Sequence, residues 1–162
     1  MKLGDPQLYH LRLHAHGRYR VVLSDSSRRG FQAPATLVCP KIYVVTETGG
    51  IHYVGITNRP MAARLNFGLT ATGAHGYYGY RFRKIRRPLR LCVWSFPKSR
   101  GKIFLRQLET IEAEFAFLTR KRTGKWPISQ TEIHFFHATP AHLAAVDKMY
   151  SHCTKWARRA LL

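Results

Sequence analysis

The stretch 41–68, KIYVVTETGGIHYVGITNRPMAARLNFG, constrains the fold more than any other part of the chain. Two runs rich in Ile, Val, Tyr and Thr, 41–46 and 51–57, flank a short loop containing Gly49 and Gly50, and this arrangement predicts a β-hairpin. Tyr43 and Tyr53 then lie on neighbouring strands. Asn58 is placed to cap a following helix, and Pro60 fits its first turn, where a missing N–H is no loss. The segment 60–67 is therefore predicted helical with Arg64 projecting from it.

Around this unit the remaining patterns are simpler. Leu89 to Phe96 reads as a third strand between Pro88 and Pro97. In 102–122, Phe104, Leu108, Ile111, Phe115 and Leu118 recur at helical spacing, and Gly124 with Trp126-Pro127 ends the pattern. At about 100° per residue Glu109 points away from that apolar stripe, whereas Glu112 and Glu114 fall on its two flanks, where a carboxylate can face a cleft while its helix stays packed. Residues 131–138 read as a short final strand, with His134 and His137 on opposite faces, which argues against joint ligation and for ordinary packing or phosphate contact. A C-terminal helix, 140–159, has the apolar stripe Leu143, Val146, Tyr150, Cys153 and Ala157 and a basic side carrying Lys148, Lys155, Arg158 and Arg159. Before the hairpin, 9–23 has strand features and 24–30 is a turn-like loop with Arg28 and Arg29. His14 and His16 share one strand face there without a third ligand, which reads as a solvated edge. The fold expected is α/β (α+β), a small, mainly antiparallel three-stranded sheet (41–46, 51–57 and 89–96) flanked by helices near 60–67, 102–122 and 140–159. It forms one domain overall: an N-terminal extension, 1–39; a core, 40–130; and a C-terminal strand and helix, 131–162, packed on that core.

Charge sets the partner class. Lys and Arg number 27 against 8 Asp and Glu, a formal net charge of +19 with a pI near 10.7, which marks a polyanion-binding surface. The cations are interleaved with aromatics instead of decorating one amphipathic helix, which argues against a membrane or acidic-protein surface. The interleaving is densest in 77–87, where Tyr77, Tyr78, Tyr80 and Phe82 interleave with Arg81, Arg83, Lys84, Arg86 and Arg87. Rings there would stack on bases while cations meet phosphates, and this composition tilts the expected ligand toward unpaired or distorted strands. Cys39, Cys92 and Cys153 are odd in number and widely spaced, so neither a disulfide framework nor a thiolate cage is expected. That usage fits a reducing cytosol, and no run of the sequence suggests a secretion signal or a membrane span.

At the hairpin and its helix the chain resembles the GIY-YIG nuclease superfamily. Lys41-Ile42-Tyr43 stands where the first signature triplet belongs, Tyr53-Val54-Gly55 where the second does, and Arg64-Leu65 where the helix arginine does. Lys41 replaces the usual glycine, and Ile56 fills a place where many members carry a polar or basic residue. Glu112, with Phe115 and Ala116 after it, is similar to the metal-binding glutamate of the family; Glu114, followed by Phe117 and Leu118, is its rival. Gln130, three residues after Pro127, stands where many members have asparagine. The resemblance covers roughly 40–130 and implies a divalent-metal-dependent endonuclease that hydrolyses phosphodiester bonds in DNA. In it Glu112 binds one Mg²⁺ or Mn²⁺, Arg64 holds the scissile phosphate, Tyr43 activates water and Tyr53 orients phosphate or water. Lys41, the aromatic and basic residues of 77–87 and Gln130 would contact nucleic acid, and no small-molecule cofactor is implied. The alternative is a basic nucleic-acid-binding module that does not cut. Single-stranded and duplex DNA, and RNA, stay open as ligands.

Overall fold

The computed structural model describes residues 3–48, 50–99, 101–131 and 133–158, with Ala157 and Arg158 as backbone only. Arg159, expected at the end of the last helix, and the side chains of Ala157 and Arg158 lie outside them. Over the described residues the chain is α+β, with three α-helices and one antiparallel sheet. The sheet has five strands, not three: β1 (Gln7–Leu13), β2 (Tyr19–Leu23), β3 (Lys41–Glu47), β4 (Gly50–Thr57) and β5 (Leu89–Ser95), in the order β2-β1-β5-β3-β4. The hairpin forms in the expected place, with Tyr43 opposite Gly55 and Val45 opposite Tyr53. The correction comes from the N-terminal segment, which is not an appendage. β1 lies along the flank of β5 that β3 leaves open, Gln7 opposite Val93 and Leu11 opposite Leu89.

Alternation along the strands sends side chains into two separate cores. Ile42, Val44, Val54, Cys92 and Trp94 meet α2 (Lys102–Thr123) and α3 (Pro140–Arg158) on one face. Tyr43, Val45, Tyr9, Leu11, Leu91 and Val93 meet α1 (Met61–Thr70) on the other, together with Tyr80 and Phe82. The α1 cap differs from expectation. Pro60 occupies the N-cap position with no side-chain cap, and the Met61 N–H instead donates to the Ala35 carbonyl at 3.0 Å. Asn58 is not needed because tertiary structure supplies the acceptor.

Residues 131 and 133–139 are irregular, so the expected final strand is absent. The place beside β4 is already taken: Ile128 N–H and Ser129 N–H donate to Ile51 and His52 carbonyls at 3.1 and 2.7 Å, and Val54 N–H donates to Gln130 Oε1 at 3.2 Å. These bonds cover the edge of the sheet. Beyond them Phe135 packs on Phe117 and Trp126, so ring packing replaces a ladder. The three cysteines are buried free thiols, and among the described residues no helix is long and apolar enough to cross a membrane.

Candidate active site

The two layers of the molecule come together along β4, and a cleft of about 790 Å³ opens there. β4 contributes Tyr53 and Ile56, α1 contributes Arg64, and α2 contributes Arg106, Glu109, Glu112 and Ala113. The rest of the wall comes from 76–79 and from the irregular stretch bearing Gln130, His134 and Phe136. Tyr53, Arg64, Glu112 and Gln130, far apart in sequence, thus line one cavity. Glu114 does not.

Beneath the cleft floor the first tyrosine is fully buried. The Tyr43 hydroxyl receives a hydrogen bond from Arg64 Nε at 3.1 Å and lies 2.8 Å from the Tyr80 hydroxyl. Arg64 Nη1 donates to the Tyr77 hydroxyl at 3.0 Å, and its guanidinium stands 5.2 Å from the Tyr80 ring centre. Three tyrosines therefore fix one guanidinium in position. Gly55 makes this possible, since a Cβ there would sit 2.5 Å from Tyr53 Cε1 and 2.8 Å from the Tyr43 hydroxyl. The glycine of the second triplet is where two tyrosine side chains cross the backbone.

Burial sets the protonation of the site. Desolvation raises the Tyr43 pKa well above the ordinary phenol value, the neighbouring Tyr80 adds to this, and Arg64 opposes it only in part. Tyr53 is raised for the same leading reason, with Tyr43 and Glu112 contributing. Glu112 stands partly open at the cleft wall, yet loss of water around its carboxyl pushes its pKa up to about 8. Arg64 pulls against this shift and Glu109 adds to it. The result is a carboxyl lacking sufficient positive charge beside a cleft that admits solutes. Glu109 is drawn toward Arg106 instead, Oε2 to Nε 3.6 Å, while Arg106 stacks 4.0 Å from the Phe136 ring centre.

Several expected contacts with nucleic acid fall elsewhere. Lys41 is fully buried, and its Nζ donates to the carbonyls of Leu37, Cys39 and Arg59 at 2.6, 2.9 and 3.2 Å. It ties the chain entering β3 to the chain leaving β4 and has no reach to a ligand. Tyr80 and Phe82 are core residues, 3% and 0% exposed, whereas Tyr78 is 72% exposed and lines the cleft with Tyr77. Arg83 Nη1 donates to the Ala71 carbonyl at 2.6 Å, and Arg87 pairs with Glu47 at 2.9 Å. Arg81, Lys84 and Arg86 are exposed outside the cleft walls. Sequence reasoning missed Arg106, Glu109 and Phe136 as cleft residues. Glu109 was legible only as pointing away from the apolar stripe, and His134 only as a packing or phosphate contact. No protein-family model matches the chain, and no curated protein or solved structure does either.

Proposed function

We propose that the cleft is the active site of a divalent-metal-dependent endonuclease of GIY-YIG type, acting on phosphodiester bonds in DNA. The observation that carries this reading is the pairing, in one cavity of a strongly basic protein, of an immobilised arginine with a desolvated glutamate. A hard cation that takes oxygen ligands and keeps part of its water shell fits such a carboxylate. Among the described residues no three His, Cys, Asp or Glu converge into a ready-made cage, so Glu112 would be its chief protein ligand and water and phosphate would complete the shell. When bound, Mg²⁺ or Mn²⁺ supplies positive charge to the phosphoryl oxygens.

The chain's own groups do the rest. Arg64, already held by Tyr43 and Tyr77, binds the scissile phosphate with little ordering left to do, which favours charge stabilisation as the reaction proceeds. Tyr43, with no exposed surface and its hydroxyl engaged, acts here as the residue that positions Arg64, a different role from the water activation implied by the family pattern. Tyr53, at the cleft surface, orients phosphate or water, and Tyr78 offers an exposed ring to a base.

A non-cutting binding module is favoured by one observation: a carboxyl titrating near 8 is largely neutral at neutral pH unless a cation draws off its proton. Cleavage assays separate the two readings. With matched single-stranded and duplex DNA and Mg²⁺, Glu112→Gln is expected to bind as the parent does and to lose cleavage by at least about a hundredfold. Glu114→Gln is expected to cut normally, and chelator is expected to stop the parent. Cutting by Glu112→Gln that also survives chelator would overturn the metal-assisted reading.

A further inference from the structure

A second, smaller cavity of about 370 Å³ lies at the far end of α1, formed by His14, His16, Gly17, Leu69, Thr70, Arg83, Lys84 and Arg86. It joins the turn between β1 and β2 to the basic stretch that follows the cleft wall. No Asp or Glu lines it among the described residues. The negative end of α1 is covered as well, because Arg83 Nη1 donates to the Ala71 carbonyl just beyond the helix. Arg86 is oriented by its own bond, Nη1 to the Arg83 carbonyl at 2.8 Å. Lys84 stands exposed on the rim. The imidazole side is built with equal care. His16 and Gly17 both have left-handed backbones, φ 55° and 71°, and a Cβ on Gly17 would lie 2.7 Å from Thr70 Cγ2. The turn is thus pressed against α1 in a conformation that a histidine adopts only at some energetic expense.

Cations and imidazoles without a carboxylate make an anion site. α1 fixes its distance from the cleft, since Arg64 and Thr70 are separated by roughly 9 Å along the axis at 1.5 Å per residue. Each strand of a DNA duplex carries a phosphate per roughly 3.4 Å of axis, so on a duplex this separation is about two to three phosphates. We propose that this pocket binds a nucleic-acid backbone phosphate flanking the one in the cleft, which makes the β1–β2 turn part of the substrate-binding surface. The inference rests on the cleft being the nucleic-acid site and extends it to a second contact.

The test compares two fluorescein-labelled duplex DNA oligonucleotides, one short enough to fill only the cleft and one long enough to reach both sites. Anisotropy is read against salt concentration in chelator, so that nothing is cut. The variant is His14→Ala/His16→Gly/Arg86→Ala; glycine at 16 suits the left-handed backbone and protects the fold. Lys84→Glu repeats the test without touching the turn. Both variants are expected to bind the long oligonucleotide about tenfold more weakly, with a salt slope shallower by roughly 1 to 2, and to bind the short one as the parent does. Unchanged affinity for the long oligonucleotide, or equal loss for both lengths, would overturn the proposal. Cleavage by the parent is scored separately with Mg²⁺, so a protein that binds in this length-dependent way without cutting would sink the nuclease reading alone.

Discussion

Between the ordinary glutamate value of about 4.3 and about 8, the folded protein keeps a proton on Glu112 that the unfolded chain has released. The folded state binds more protons across that window, so this residue's contribution to stability declines as pH rises through it and is level outside it. In chelator the melting temperature is expected to drop by several °C between pH 5 and 8.5. Glu112→Gln should flatten that component. Saturating Mg²⁺ at pH 8.5 should recover part of the loss, because cation binding requires the carboxylate. Identical pH profiles for parent and variant would show that the carboxyl is not desolvated. Single residues also mark where sequence logic runs out. Lysine is seldom buried, so Lys41 reads as a surface cation until three carbonyls are found around its ammonium. A tyrosine in a glycine-punctuated basic stretch reads the same whether its ring faces outward, as Tyr78 does, or inward, as Tyr80 does.

Elements were legible to the extent that their patterns are local. The hairpin, the 100° periodicity of α2 and the glycine stop at its end, where the Gly124 N–H bonds the Arg120 carbonyl at 2.8 Å, all depend on near neighbours. The same periodicity put both Glu112 and Glu114 on flanks of the stripe, and only the family resemblance favoured Glu112. The pairing of β1 with β5 has no such signature, because Leu11 and Leu89 become partners only when the fold closes. A chain truncated to begin at Cys39 is therefore expected to be insoluble or unfolded, since it strips Tyr9, Leu11 and Leu13 from one core and exposes the edge of β5. A folded, cooperatively melting product of that truncation would refute the five-stranded unit. The packing of α1 against the cleft wall admits a milder test. A Cβ at Gly68 would lie 2.2 Å from Tyr80 Cε2, so Gly68→Ala should destabilise by about 1–3 kcal/mol in denaturant unfolding. It should also weaken cleavage by displacing the ring over which Arg64 sits.

For the whole molecule, a net charge of +19 predicts that DNA affinity is governed by released counterions, falling about 10³-fold or more between roughly 50 and 200 mM salt if six or more phosphates are met. A salt-independent affinity would remove the polyanion reading at its base. The same charge bears on how copies of the protein treat one another. A five-stranded sheet has two borders, and the 128–130 segment already occupies the one along β4. The other is β2, joined on its outer side by the isolated bridge between Val22 and Arg29, with Arg18 and Arg20 exposed nearby. The 28–30 segment covers part of that border, with the Leu23 N–H donating to the Arg28 carbonyl and the Gly30 N–H to the Val21 carbonyl at 3.0 Å each, and a second copy approaching there to extend the sheet would bring arginine against arginine. Strand-by-strand growth into fibrils is thereby resisted by like-charge repulsion, and a bound polyanion, by neutralising those side chains, would weaken the safeguard.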